Sequence, residues 1–436
     1  MNQIKYIPNI TENDKKRIVI IGGGFAGLKL IRGLLGKNYQ IVILDKNNYH
    51  QFQPLLYQVA TAGLEPSAIS FPLRKILQKE DDVHFRIANL EEVIPEKNEI
   101  ITNIGKLKYD YLALAIGATT NFFGKKNIEA NALSMKTASE AILIRNLILE
   151  NFEKALLETE EEKINSFLNI VLVGGGPTGV ELSGALAEMK KYIFPKDYPE
   201  LDVSKMRIML FEGSPSLLVG MTKKSSDKAL EYLNKLGVEV NLNSMVEDYR
   251  NSVLSISDGR QINSKTVIWS AGVKANSVKG FPETTYVHGG RLKVDSYNRV
   301  DGYENIFALG DLCLMQTPKY PKGHPQVAQV AIQQAKLLGS NIIKIDNNSP
   351  KLKKYEYKDK GTLATVGRNR AVAEIPAATL KGYLAWVLWL VVHLFAIVGV
   401  KNKVIIFLNW IWNYFTYDQS LRLLIKPKNR NNNDLT

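Results

Sequence analysis

Two glycine-rich stretches carry the first chemistry this chain could do. Gly22, Gly24 and Gly27 fill the three glycine places of G-x-G-x-x-G in GGGFAG, with Phe25 and Ala26 between the last two. Gly174, Gly176 and Gly179 fill the same places in GGGPTG, around Pro177 and Thr178. The first glycine permits a tight turn, the second lets the backbone approach a pyrophosphate, and the third lets the next helix press close. After each motif an acidic residue closes the next apolar run: Asp45 and Glu212. A carboxylate there accepts a ribose hydroxyl and repels a 2′-phosphate. Packing alone can produce one such turn, but it would have to be invoked twice here. The motifs predict two adenine-dinucleotide sites.

The elements that must hold these residues are legible as short β-branched runs. Residues 17–21 lead into the first motif and 40–44 into Asp45; 169–173 and 207–211 do the same for the second. Further strands are expected at 83–87, 99–102, 111–116, 266–270 and 305–309. The last three run into Gly117, Ala271-Gly272 and Gly310-Asp311. Taken by itself, Gly-Asp is also an ordinary turn. Residues 192–205 read as an inserted loop, which explains a Gly174-to-Glu212 spacing beyond the usual twenty or so residues. Residues 48–74, mixing aromatics, Gln and Pro, read as a packed loop or as a wall of the first nucleotide site. Their place directly after the motif favours the wall. Helices are expected at 135–160 and 326–338. The second carries Gln329 and Gln333, four apart on one face, and Gln334; helix glutamines are ordinarily solvated.

A chain of 436 residues exceeds one ordinary core, so two or three domains are expected. The net charge of +13 suits an anionic membrane surface or acidic ligands. No helix-turn-helix, metal-binding Cys/His spacing or RNA-binding signature accompanies it, so neither nucleic acid nor a metal ion is expected. The single cysteine, Cys313, excludes an intramolecular disulfide and any C-x-x-C motif, and reads as a small core residue. The first 17 residues hold no apolar core of signal-peptide length, so the body of the protein is expected in the cytoplasm. Residues 426–436 read as a polar tail. Near the C-terminus, 383–400 is an apolar run whose only ionisable group is His393, followed by a shorter one at 404–415. Trp386, Trp389, Trp410 and Trp412 are interfacial types, and Lys401, Lys403, Arg422, Lys426, Lys428 and Arg430 suit anionic headgroups. Attachment to one leaflet is expected ahead of a true span or a buried dimer core.

Together the segments GGGFAG, NYHQFQPLLYQVAT, GATTNFFG, VGGGPTGVELSGALAE, VIWSAGVKAN, FALGDL and HPQVAQVAIQQA closely resemble the type II, non-proton-pumping NADH:quinone oxidoreductases. The resemblance runs from about residue 17 to the C-terminal apolar runs. It departs mildly at 115–117, where Ala-Ile-Gly replaces the family's usual Ala-Thr-Gly. It implies an α/β fold of two Rossmann-like dinucleotide-binding domains plus a C-terminal membrane-associating helical region. The FAD domain would be split over 1–125 and 281–345, around an NADH domain at 126–280, with 346–436 as the membrane-anchoring domain. Non-covalent FAD would then lie on Gly22, Gly24, Phe25, Ala26, Gly27, Asp45, Gly117, Gly310, Asp311 and Gln329. NADH would lie on Gly174, Gly176, Pro177, Thr178, Gly179, Glu181, Glu212, Ala271 and Gly272. Glu181, Gln329 and Gln333 would serve catalysis near the nicotinamide, flavin and quinone.

The implied activity passes hydride from NADH to FAD and two electrons on to a membrane quinone, at the cytoplasmic face of the inner membrane. A homodimer is the expected assembly. A reductase of a soluble acceptor and a flavin-containing redox sensor with little turnover are the alternatives. Disulfide reductases and sulfide:quinone oxidoreductases need cysteines that this chain lacks. Glu181 reads either as a proton relay or as a residue that steadies the first helical turn or touches the nucleotide.

Overall fold

The computed structural model describes residues 5–424 apart from 79, 81 and 350; the expected polar tail, with Lys426, Lys428 and Arg430, lies outside them. The chain forms two compact units. One comprises Met1–Gln51, Ser70–Thr119 and Val273–Lys360; the other comprises Phe52–Ile69, Thr120–Gly272 and Gly361–Thr436.

The first unit is built on a five-stranded parallel sheet in the order Ile306–Ala308, Tyr111–Leu114, Lys16–Ile21, Tyr39–Asp45, Val83–Ile87. Its strands are apolar almost throughout because both faces are covered. Ile18 and Ile20 pack on one side with the helices Phe25–Leu34 and Ala328–Asp346. Val19 and Ile21 pack on the other, over Val93, Ile100 and Leu107 of a three-stranded antiparallel sheet. The glutamine-bearing helix is longer than the expected 326–338. Leu338, Gly339 and Ile342 keep its apolar face buried well past that point.

The second unit repeats the plan with Leu133–Ser134, Thr266–Trp269, Ile170–Val173, Ile208–Phe211 and Glu239–Asn241, again all parallel. The helix expected at 135–160 is Ala138–Ala155. It starts at a capping box between Thr137 and Glu140, and residues 133–134 before it are an edge strand. The acidic run beyond it opens a second helix, Glu161–Leu168, with Glu161 and Glu162 in its first turn, where the helix dipole favours them. The inserted stretch 192–205 holds two short turns, Phe194–Asp197 and Val203–Lys205.

The C-terminal part of this unit is a three-stranded antiparallel sheet, Thr362–Thr365, Ala371–Ile375 and Ala378–Lys381, followed by two helices. The apolar run 383–400 is not one helix. Tyr383–Ala396 ends there, and Val400–Thr416 begins after Gly399 at φ +82°. Fourteen residues at about 1.5 Å each reach about 21 Å, short of a hydrocarbon core of about 30 Å. Among the described residues no helix is long and apolar enough to cross a membrane.

The sheet sits against the helix Pro177–Tyr192 at Gly184. A Cβ there would lie 2.9 Å from the Gly367 nitrogen. Gly33, in the helix Phe25–Leu34, has nothing within 4 Å of its Cβ position. Gly184→Ala should therefore destabilise the protein by about 1–3 kcal/mol, since backbone must move to admit the methyl. Gly33→Ala should raise stability by up to about 1 kcal/mol, through helix propensity. Urea titration of the two variants beside the parent protein checks both signs.

Candidate active site

In both units the glycine loop sits at the carboxyl end of the central strand of the five, Lys16–Ile21 or Ile170–Val173, where open parallel sheets bind ligands. Gly22 and Gly174 have φ +107° and +109°. A Cβ at Gly27 or Gly179 would stand 1.9 Å from the carbonyl oxygen of Gly22 or Gly174. These four glycines are required by the turn itself. Gly24 and Gly176 are different: a Cβ at either meets nothing within 4 Å. The space above them is open, and each is the uncapped N-cap of its helix, Phe25–Leu34 and Pro177–Tyr192. An open backbone at a positive helix end fits a pyrophosphate. Phe25 and Ala26, Pro177 and Thr178 form the first turns of those helices.

The two acids repeat the same geometry. Asp45 Oδ2 accepts the Gly23 N–H at 2.6 Å and Oδ1 that of Asn47 at 2.7 Å. Glu212 Oε2 accepts the Gly175 N–H at 2.6 Å and Oε1 that of Ser214 at 2.7 Å. Each acid therefore ties down the middle of its glycine loop, a role that ribose binding alone did not suggest. Burial pushes the Asp45 carboxyl up from the ordinary range, against the two N–H donors. The middle glycines are closely packed: a Cβ on Gly23 would lie 2.7 Å from a Leu73 methyl, and one on Gly175 2.6 Å from a Leu217 methyl, so those side chains would have to shift.

His50, absent from the sequence-based candidates, faces the Gly23 carbonyl oxygen through Nδ1 at 3.0 Å, with its ring edge-on to Phe25. Since a carbonyl only accepts, Nδ1 donates there. The stretch 48–74 thus contributes to the first loop through His50 and Leu73. Its middle, Phe52–Ile69, belongs to the second unit.

The remaining candidates also follow strand ends: Gly117 after Tyr111–Leu114, Gly310 and Asp311 after Ile306–Ala308, Ala271 and Gly272 after Thr266–Trp269. The Ala271 backbone lies against Gly174. Gln329 Oε1 accepts the Lys360 N–H, and Gln333 bonds the Lys358 backbone through both ends of its amide, at 2.9 and 3.0 Å. Two further glutamines reach the Gly-Asp turn: Gln326 Nε2 donates to the Asp311 carbonyl oxygen at 2.9 Å, and the fully buried Gln334 accepts the Gly310 N–H through Oε1 at 2.7 Å while its Nε2 faces Cys313 Sγ at 3.3 Å. Burial lifts the Cys313 thiol to about 11, so it is an inert core residue.

Glu181 is the fifth residue of its helix, past the first turn, and only 8% exposed. Its Oε1 accepts from the Trp389 indole at 3.1 Å and from the Thr365 N–H at 3.4 Å. Burial lifts the carboxyl to about 8, while these two donors pull the other way. The carboxyl lines a cleft of the second unit with Tyr57, Gln58, Trp386, Trp389, Leu390 and Trp410.

A carboxyl raised in the fold costs stability as pH rises. Below about 4.5 it is protonated folded or unfolded; between 4.5 and 8 unfolding releases a proton, so stability falls; above 8 the cost is complete. Glu181→Gln should remove this slope. Denaturant titrations at pH 5, 7 and 9 should show the variant gaining on the parent protein as pH rises.

Residues 16–335 match the pyridine nucleotide-disulphide oxidoreductase family and residues 360–417 match the NDH2 C-terminal domain family. The type II NADH:quinone oxidoreductase Ndh of Mycobacterium tuberculosis is 34% identical over 410 residues, covering 91% of this chain and 87% of that protein. The type II NADH:quinone oxidoreductase of Haemophilus influenzae is 30% identical over 388 residues, covering 83% and 87%. The structure of NDH2 from Plasmodium falciparum in complex with NADH superposes with a TM-score of 0.87 at 24% identity, over 94% of this chain and all of that one. Two glycine cradles with their tethering acids, one inert cysteine and both matched segments agree: the chain belongs to the pyridine nucleotide-disulphide oxidoreductases and, among them, to the type II NADH:quinone oxidoreductases.

Proposed function

We propose that the protein oxidises NADH and reduces a membrane quinone, with FAD as the carrier between them. The observation that carries this reading is Glu181, a carboxyl held neutral at pH 7 on the wall of a tryptophan-lined cleft. Converting a quinone to a quinol consumes two protons as well as two electrons, and a buried carboxyl near 8 stores a proton at neutral pH. FAD, when bound, supplies the redox chemistry between a hydride donor and a quinone.

The chain's own residues bind, orient and protonate. Gly22, Gly24 and Gly27, with Phe25 and Ala26 opening the helix, cradle the FAD pyrophosphate. Asp45, Gly117, Gly310, Asp311 and Gln329 complete that site. Gly174, Gly176 and Gly179, with Pro177, Thr178, Glu181, Ala271 and Gly272, take NADH, and the Glu212 carboxylate selects it over NADPH. Gln329 and Gln333 serve the flavin and the quinone head group, a role supported by the family resemblance. In functional terms 1–125 and 281–345 hold FAD, 126–280 hold NADH and 346–436 attach the protein to the membrane.

Attachment is supported by the outward apolar residues of the two C-terminal helices. Leu384, Phe395, Val400 and Phe415 are 67, 73, 79 and 76% exposed. An interfacial helix pair buries such side chains among lipid chains without spanning. The cytoplasmic face is the side proposed. A second copy is another apolar partner for these helices, and a homodimer is part of the proposal.

Purified holoenzyme should oxidise NADH rapidly with a short-chain quinone. Flavin reduction without turnover would refute the reading. Glu212→Gln should narrow the preference for NADH over NADPH in kcat/KM, and equal values in the parent protein would remove Glu212 as the selector. The protein should float with liposomes and stay bound after a high-salt wash, because salt screens charge but not apolar burial. Release by salt alone would point to a purely electrostatic contact.

A further inference from the structure

The cleft that holds Glu181 contains a second oxygen acid whose orientation the hydrogen-bond pattern settles. Tyr57, on the short helix Leu56–Ala60, is 7% exposed, and its ring meets Trp389 edge-on. Gln58 Nε2 lies 2.9 Å from the Tyr57 hydroxyl, and Gln58 Oε1 lies 2.8 Å from Trp410 Nε1. An indole N–H can only donate, so Gln58 must turn its oxygen toward Trp410 and its NH₂ toward Tyr57. The Tyr57 oxygen therefore receives at that contact and keeps its own proton for another acceptor.

Trp389 orders the other acid by the same logic. Its donor-only indole and the Thr365 N–H both meet Glu181 Oε1, leaving Oε2 to carry the proton of the neutral acid. Two O–H groups, both fixed by tryptophans of the C-terminal helices, thus line one cleft. They are not equivalent. Burial, with the Glu181 and Glu188 carboxyls nearby, drives the Tyr57 hydroxyl well above its ordinary value, so it holds its proton throughout the physiological range. Glu188 is held on its far side by the Arg368 backbone N–H, with the Arg368 and Arg370 charges beside it. Glu181 can release a proton near neutrality; Tyr57 can only share one.

We propose that Tyr57 is a further catalytic residue of the cleft: its hydroxyl donates a hydrogen bond to a carbonyl oxygen of the bound quinone and stabilises the charge that gathers there as electrons arrive. The proposal rests on the quinone reading above. The proton stays on Tyr57, and Glu181 remains the group that delivers one. Placing a fixed donor where charge develops is the general device of oxyanion stabilisation.

The test compares two acceptors in the holoenzyme. A short-chain quinone needs a hydrogen-bond donor at its carbonyl; ferricyanide takes electrons singly and does not. In Tyr57→Phe the ratio of quinone to ferricyanide turnover should fall at least about tenfold. Binding of a redox-inactive quinone analogue, read by tryptophan fluorescence, should weaken as well. Gln58→Leu keeps the hydroxyl but frees its orientation, and should lower the same ratio by less. It also keeps the test open should Tyr57→Phe lose FAD. An unchanged ratio in both variants overturns the proposal. So does a loss in Tyr57→Phe that appears only as a shifted Glu181 titration in the pH profile, because Tyr57 would then serve Glu181 and not the quinone. A parent protein that reduces ferricyanide but no quinone would instead overturn the proposed function.

Discussion

The hydrogen bond from Trp389 to Glu181 is the constraint on which the rest of the site depends. Glu181 rides on the helix that opens at the second glycine loop, and Trp389 on the first of the two C-terminal helices. Joining them closes a cleft over a carboxyl that water would otherwise reach. It is that exclusion of water which lifts the acid to about 8. The same helix presents Gly184 to the turn at Gly367 and Glu188 to the Arg368 backbone, so one face docks the whole C-terminal sheet. Closing the second glycine loop, burying Glu181 and seating the C-terminal sheet and helices are thus duties of a single helix.

The C-terminal helices show how an apolar run can be two-faced. Several polar residues of these helices make specific contacts with the rest of the unit. Asn402 donates to the Ser67 and Ala68 carbonyls, Asn413 to that of Gly63, and Trp410 to Gln58. Arg368 donates to the carbonyls of Asn413 and Tyr414 at the end of the second helix and stacks on Tyr417. With the inner face held by directional bonds, the outer face is left largely apolar and, among the described residues, exposed. Helices held in this way keep one fixed face outward.

The glycine cradles were legible because steric demand on a backbone is written in residue type and spacing. Gly22, Gly27, Gly174 and Gly179 could hardly be anything else. Asp45 and Glu212 were legible for the same reason, though the N–H bonds they make to Gly23 and Gly175 were not. The state of Glu181 was out of reach: the residues that bury and bond it lie 184 and 208 positions along the chain. Spacing put Gln329 and Gln333 on one face and only the family resemblance gave them a role; that Gln334 bonds the Gly-Asp segment was not legible, because it depends on how the helix packs. The break at 397–399 was equally hidden, since apolar content alone does not reveal where a helix ends.

In the proposed mechanism Glu181 is a neutral acid at pH 7 that gives its proton within the cleft. Infrared difference spectroscopy of the holoenzyme across pH, with Glu181→Gln as the reference that removes one carboxyl, observes this group directly. A protonated-carboxyl band missing from the variant, present at pH 7 and lost with a midpoint near 8, is the expected result. A band lost with a midpoint near 4.5, leaving a carboxylate at neutral pH, would contradict it.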